Sequence, residues 1–88
     1  MDKVERRARE HLAANVRRHR LAAQLTQANL AEQVGVEPWF IRAIEAAREP
    51  PSFKTLVTLA RELKLDVRDL FEPSPRAVRN PGRPKKIR

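Results

Sequence analysis

A single glycine does most to limit what this chain can fold into. Gly35 is one of only two glycines in 88 residues, the other being Gly82. It follows Val34, the last apolar position of a short helical pattern that Thr26 opens. The residue just past a helix end commonly turns left-handed, a conformation glycine takes without strain. Val36 and Glu37 then lead straight to Pro38, a residue favoured at the first position of a new helix. Two short helices joined by so short a turn cannot lie antiparallel. They must cross steeply, as in a helix-turn-helix.

The rest of the chain has the same grammar. No stretch alternates β-branched with polar residues, and helix formers dominate, so a compact all-α domain of five helices is predicted. The first helix covers about residues 3–23, with an apolar stripe of Val4, Ala8, Leu12, Val16 and Ala23. Thr26 caps the second, with Leu25 and Leu30 as a hydrophobic staple. Glu37 is a weaker cap for the third, about 38–47, where Val36 and Ile41 form the staple. Ser52 caps a fourth helix running to about Lys64, after Pro50 and Pro51. Asp66 caps a fifth, with Leu65 and Leu70 as its staple and Asp69 suited to the positive helix N-terminus. These helices make one domain over residues 1–72. From Pro73, four prolines in sixteen residues predict a disordered basic tail over 73–88.

Charge bears on the partner. The net charge is +8, which favours a polyanion. Residues 1–20 carry seven basic and three acidic groups, residues 21–72 six and eight, and residues 73–88 six and none. The excess therefore sits at the two ends. No cysteine is present, so no disulfide or thiolate metal site is available. The charged first twenty residues do not read as a signal peptide, and no apolar run reaches the length of a membrane helix. No membrane partner and no cofactor are expected, and the expected location is the cytoplasm, on the nucleoid.

The third helix has two faces by spacing. Ile41, Ile44 and the stem of Glu45 point to the core, while Trp39, Arg42, Ala43 and Ala46 are expected on the opposite side. An exposed tryptophan beside two small residues makes a low surface suited to close approach, as in a DNA major groove. The alternative is that Trp39 folds back against the second helix.

Residues Thr26-Gln27-Ala28-Asn29-Leu30-Ala31-Glu32-Gln33-Val34-Gly35-Val36 and Ile41-Arg42-Ala43-Ile44-Glu45 resemble the phage-repressor-like (Cro/CI, XRE) helix-turn-helix family, with its lambda-repressor-like fold. Val16 to Arg20 is similar to that family's first helix, and Pro51-Ser52-Phe53, the Leu56-Leu59-Ala60-Leu63 stripe and Leu65-Asp66-Val67 with Leu70 to its last two. The likeness covers about residues 12–72. It implies sequence-specific binding of double-stranded DNA by a transcriptional regulator, dimeric on a palindromic operator. It implies phosphate contacts from Gln27 and Arg48, and groove contacts from Glu37, Pro38, Trp39, Arg42 and Ala43. It also implies a buried ion pair of Arg20 with Glu45. The chain departs from the family at Ala47, where glycine is usual, at Glu37, where Ser or Thr is usual, and in the apolar groove residues Trp39 and Ala43.

The remaining features are weighed against this reading. His11 and His19 have no evident co-ligands, no Gly-rich phosphate loop exists, and Ser52 and Ser74 have no triad partners, so no metal site and no enzyme is expected. Gly82-Arg83-Pro84-Lys85-Lys86 resembles part of an AT-hook, with Pro81 where that motif has Arg. The tail is read either as such a minor-groove element, contacting DNA through Arg83, Lys85 and Lys86, or as a generic basic arm. Val67, Leu70 and Phe71 are the candidate dimer surface, unless Leu70 and Phe71 simply close the core. An antitoxin or restriction-system controller would use the same domain. A protein-interaction adaptor that has lost base reading is the rival from another class, favoured by Glu37 and Trp39.

Overall fold

The computed structural model of the chain describes residues 1–73, so the features of Arg83, Lys85 and Lys86 lie outside the described residues. Four α-helices follow one another: α1 Lys3–Ala22, α2 Gln27–Val34, α3 Pro38–Glu45 and α4 Phe53–Glu62. A 3-10 turn, Val67–Phe71, closes the domain where an α-helix was expected. No strand occurs among the described residues. α3 packs on both α1 and α2, the closing turn packs on α1 and α4, and α4 also meets α2.

Every helix but α3 starts where a short polar side chain holds a free backbone N–H. Asp2 accepts from the Glu5 amide at 2.8 Å, and Ser52 accepts from the Thr55 amide at 3.1 Å. Thr26 accepts from the Asn29 amide at 2.9 Å, while Asn29 accepts from the Thr26 amide at 3.3 Å, a reciprocal capping box. Asp66 and Asp69 make a similar exchange around the closing turn. Glu37 makes no such bond, and α3 starts on Pro38 instead.

Four segments end in the same way. The amides of Leu25, Val36, Arg48 and Leu65 reach back five residues to the carbonyls of Arg20, Ala31, Ala43 and Ala60, at 3.1, 3.0, 2.9 and 2.8 Å. The residue before each donor is left-handed: Gln24, Gly35, Ala47 and Lys64, with φ of 61, 87, 61 and 62°. This is the Schellman arrangement, and only one of the four positions is glycine.

The core joins Leu12 and Val16 of α1 to Leu30, Ala31, Ile41, Ile44, Leu59, Ala60, Leu63 and Leu70. All six members of the three expected staples belong to this core or pack against it. Three expected α1 stripe residues do not. Val4 is 79% exposed, Ala8 is half-buried outside the core, and Ala23 is exposed beyond the helix end. Residues 1–7 are all exposed, so the first turns of α1 project past the last element that could cover them. Leu70 is fully buried, which removes it from the candidate dimer surface; it closes the core against α1. Val67 and Phe71 stay half-buried.

Candidate nucleic-acid interface

The exposed face of α3 is narrower than its sequence spacing predicts. Phe40, Ile41, Ala43, Ile44 and Glu45 are buried or half-buried, leaving Trp39, Arg42 and Ala46 exposed. At about 100° per residue these three span roughly 60° of the helix circumference. Ala43, expected in the groove, is 3% exposed and belongs to the interior. The reason is that α3 is covered from two sides, by α1 and by α2, so its buried arc is wide. Its small side chain permits that close packing.

Trp39 does not fold away. It is 55% exposed, with its ring edge-on to Phe40 at 5.5 Å and 72°. Pro38, half-buried, and Glu37, exposed, precede it at the entry to α3. Arg48 follows the helix on the loop towards α4 and is exposed.

Behind this face lies a closed polar network. The Arg20 guanidinium donates through Nε to Glu45 Oε2 at 2.7 Å and through Nη2 to Oε1 at 3.0 Å. Its Nη1 donates to the Leu25 carbonyl at 2.8 Å. The two side chains are 7% and 4% exposed. Gln27 adds a third donor to the carboxylate, Nε2 to Oε1 at 3.0 Å. Four parts of the fold thus meet in one network around the Arg20–Glu45 pair: α1, the turn after it, the first residue of α2, and the end of α3. The side chain expected to touch phosphate, Gln27, is partly committed to this network through its amide N–H.

Two residues hold the frame: Asn15, which the sequence reading passed over, and Arg9, which it placed in first turns free to project. Asn15 is fully buried and donates through Nδ2 to the carbonyls of Leu70 at 3.0 Å and Glu72 at 2.7 Å. Its Oδ1 accepts from Arg18 Nη2 at 2.8 Å. Its position one residue before Val16, at the edge of the core stripe, was the available signal. Arg9 donates through Nη1 to the Arg48 carbonyl at 3.0 Å and pairs with Glu5, tying α1 to the loop after α3.

The histidines are separate from the interface. His19 has its pKa lowered from the ordinary value by partial burial and by Arg18 beside it, against a smaller opposing pull from Asp69. Among the described residues no cluster of His, Asp and Glu could hold a metal ion, and no helix is long and apolar enough to cross a membrane.

This fold and this face define a helix-turn-helix protein. The chain belongs to the helix-turn-helix domain family, whose model matches residues 11–72. Among solved structures it is similar to the restriction-modification controller protein C.AhdI from Aeromonas hydrophila, at 25% identity and a TM-score of 0.68, over 72% of this chain and 96% of that one. It is also similar to the clp gene regulator ClgR from Corynebacterium glutamicum, at 30% identity and a TM-score of 0.68, over 72% of this chain and 67% of that one. A hypothetical transcription factor, NHTF from Neisseria, shares 27% identity and a TM-score of 0.72, over 76% of this chain and 75% of that one. No curated protein matches the sequence significantly. The Cro/CI-like character expected from the sequence is thereby established.

Proposed function

We propose that this protein is a transcriptional regulator that binds a palindromic operator as a homodimer, by binding alone and without a catalytic step. The observation that carries this reading is the narrow exposed face of α3, held at a fixed angle by the buried Arg20–Glu45 pair. A major groove about 12 Å wide admits such a helix. Trp39 and Arg42 read bases, with Glu37 and Pro38 lining the entry. Gln27 and Arg48 hold phosphates and set register. Val67, Phe71 and the 74% exposed Phe53 supply the apolar surface for the second copy. Arg83, Lys85 and Lys86 of the tail add backbone or minor-groove contacts, and the working location is the nucleoid in the cytoplasm.

A second reading is favoured by one observation. The likeness to C.AhdI covers 96% of that controller, so a restriction-system controller of similar extent fits this chain as well as a general regulator does.

The test is selection of bound duplexes from a random pool with the full chain. An inverted repeat with half-sites about 10 bp apart is expected. If nothing is enriched, and binding is weak, salt-quenched and dependent on residues 73–88, base reading is absent and a protein-interaction role takes its place.

A further inference from the structure

One ridge of α1 is built from arginines. Arg6, Arg9, Ala13, Arg17 and Arg20 follow at steps of three, four, four and three residues, which keeps them on one side of a helix. The structure fixes which way that side faces. Arg9 is bonded to the carbonyl of Arg48, and Arg20 to Glu45, so the ridge runs along the end of α3 and the loop behind it. Ala13 is buried between them. Arg6 and Arg17 are the exposed members. Neither makes an ion pair among the described residues, although Glu10 lies one turn from Arg6. They stand about 16 Å apart along the helix.

We propose that Arg6 and Arg17 are a second pair of phosphate contacts, gripping the DNA backbone that flanks the half-site read by α3. This rests on the reading of the protein as a DNA binder. The argument is one of charge and position. Arg42 and Arg48, with Glu49 beside them, leave the exposed end of α3 net positive, and Arg6 and Arg17, with Glu10 between them in sequence, add a further net positive charge on its flank. A duplex lying against α3 carries a negative charge every ~1.7 Å of its axis. Nothing in the fold requires these two side chains. Arg9 and Arg20, which share the ridge, perform the packing instead. Arg61 and Lys64 have the same charge and are exposed near the end of α4, which is not among the elements packed on α3. They are therefore internal controls.

The experiment measures affinity of the full chain for a mixed-sequence duplex over a range of salt, comparing Arg6→Ala, Arg17→Ala, Arg61→Ala and Lys64→Ala. All four remove one positive charge from an exposed position, so the fold is kept, which thermal melting checks. Each of the first two should lower the slope of log K against log salt by about 0.9, and the pair together by about 1.8. The two controls should leave the slope unchanged. Equal effects from all four would mean a diffuse field and no built contact, and overturn the proposal, as would unchanged slopes for Arg6→Ala and Arg17→Ala. If Arg48→Ala weakens binding while the ridge variants do not, only this proposal falls. If the unaltered chain binds no duplex at all, the DNA-binding reading falls with it.

Discussion

Arg20 and Glu45 face each other through two parallel hydrogen bonds, 2.7 and 3.0 Å long, with both side chains less than a tenth exposed. The pair joins the first helix to the end of the recognition helix across twenty-five residues of sequence. Burying two charges is costly, and only the paired geometry offsets it. Here the compensation is generous, because Leu25 and Gln27 occupy further positions on the two groups. Removing one partner strands the other.

Arg20→Ala and Glu45→Ala should each therefore lower stability by about 3–5 kcal/mol. The double variant should lose less than the sum, by about 0.5–3 kcal/mol of coupling. Urea denaturation of the four members of the cycle checks this. Strict additivity would show that the pair contributes nothing of its own. Should the singles fail to fold, Glu45→Gln keeps the shape and removes only the charge.

The roles proposed for the interface residues make reading and positioning separable by substitution. Gln27→Ala and Arg48→Ala should weaken binding to all sequences about equally, and Arg48→Ala should flatten the salt dependence by about one unit of slope. Trp39→Ala and Arg42→Ala should instead relax the preference for the selected site, by about 1–3 kcal/mol of discrimination for a base-contacting side chain. Gln27→Ala carries a second signature: it should also destabilise the fold slightly, because it removes a donor from Glu45. Ala43 belongs to neither class. Ala43→Leu should destabilise by overpacking, on the order of 1–3 kcal/mol, and any loss of binding should track loss of fold.

Ala43 also shows where the sequence was legible and where it was not. Caps and staples are local, so Thr26, Ser52, Asp66 and their partners could be read directly and stand as expected. The face of a helix that meets one neighbour can be read from spacing. The face that meets two cannot, because the second neighbour comes from elsewhere in the chain, and α3 lies against both α1 and α2. Val4 failed for the converse reason: it continues the apolar spacing of α1 past the last element able to cover it. The Arg20–Glu45 pair was reached through family likeness, since nothing in spacing alone joins positions twenty-five apart. Of the four left-handed helix ends, Gly35 was visible in its own residue and Ala47 only as the place where the family has glycine, because at Gln24, Ala47 and Lys64 the conformation is imposed by the five-residue backbone bond and not chosen by the side chain.

Those three positions therefore carry removable strain. An L-residue in the left-handed region costs roughly 1–2 kcal/mol, part of which glycine gives back through its looser unfolded chain. Ala47→Gly should raise stability by about 0.5–1 kcal/mol, read as a higher urea midpoint with unchanged m. Gly35→Ala should do the reverse by a similar amount. A Cβ there meets no atom within 4 Å, so the cost is backbone strain alone. A neutral result at Ala47 would mean that the unfolded-state term cancels the strain.

His19 gives the domain a pH dependence of known sign. Its pKa is lowered in the fold, so the unfolded chain binds the proton more readily. The stabilisation is present above the ordinary histidine pKa of about 6.5 and is lost as pH falls through the lower folded value. Melting temperature should decline as pH is taken from 7 towards 5, and His19→Gln should flatten that decline. An equal decline in the variant would place the effect on another group.

Asn15 gives the last prediction, because one amide holds the end of the domain. Its two N–H donors reach two backbone carbonyls at the close of the 3-10 turn, and its own oxygen is held by Arg18. The Leu70 carbonyl lies in a buried contact and has no replacement partner once the amide is gone. Asn15→Ala should cost about 1–3 kcal/mol for that stranded group, before any loss of packing. Asn15→Leu restores volume but not the donor, so it should recover little. Asn15→Asp is the sharper variant. It turns an acceptor towards two carbonyl oxygens, and the buried charge should make it less stable than Asn15→Ala at neutral pH. Its penalty should ease as pH falls, because the protonated acid donates one hydrogen bond and carries no charge. If Asn15→Asp were as stable as the parent at neutral pH, the amide would not be the link between α1 and the closing turn.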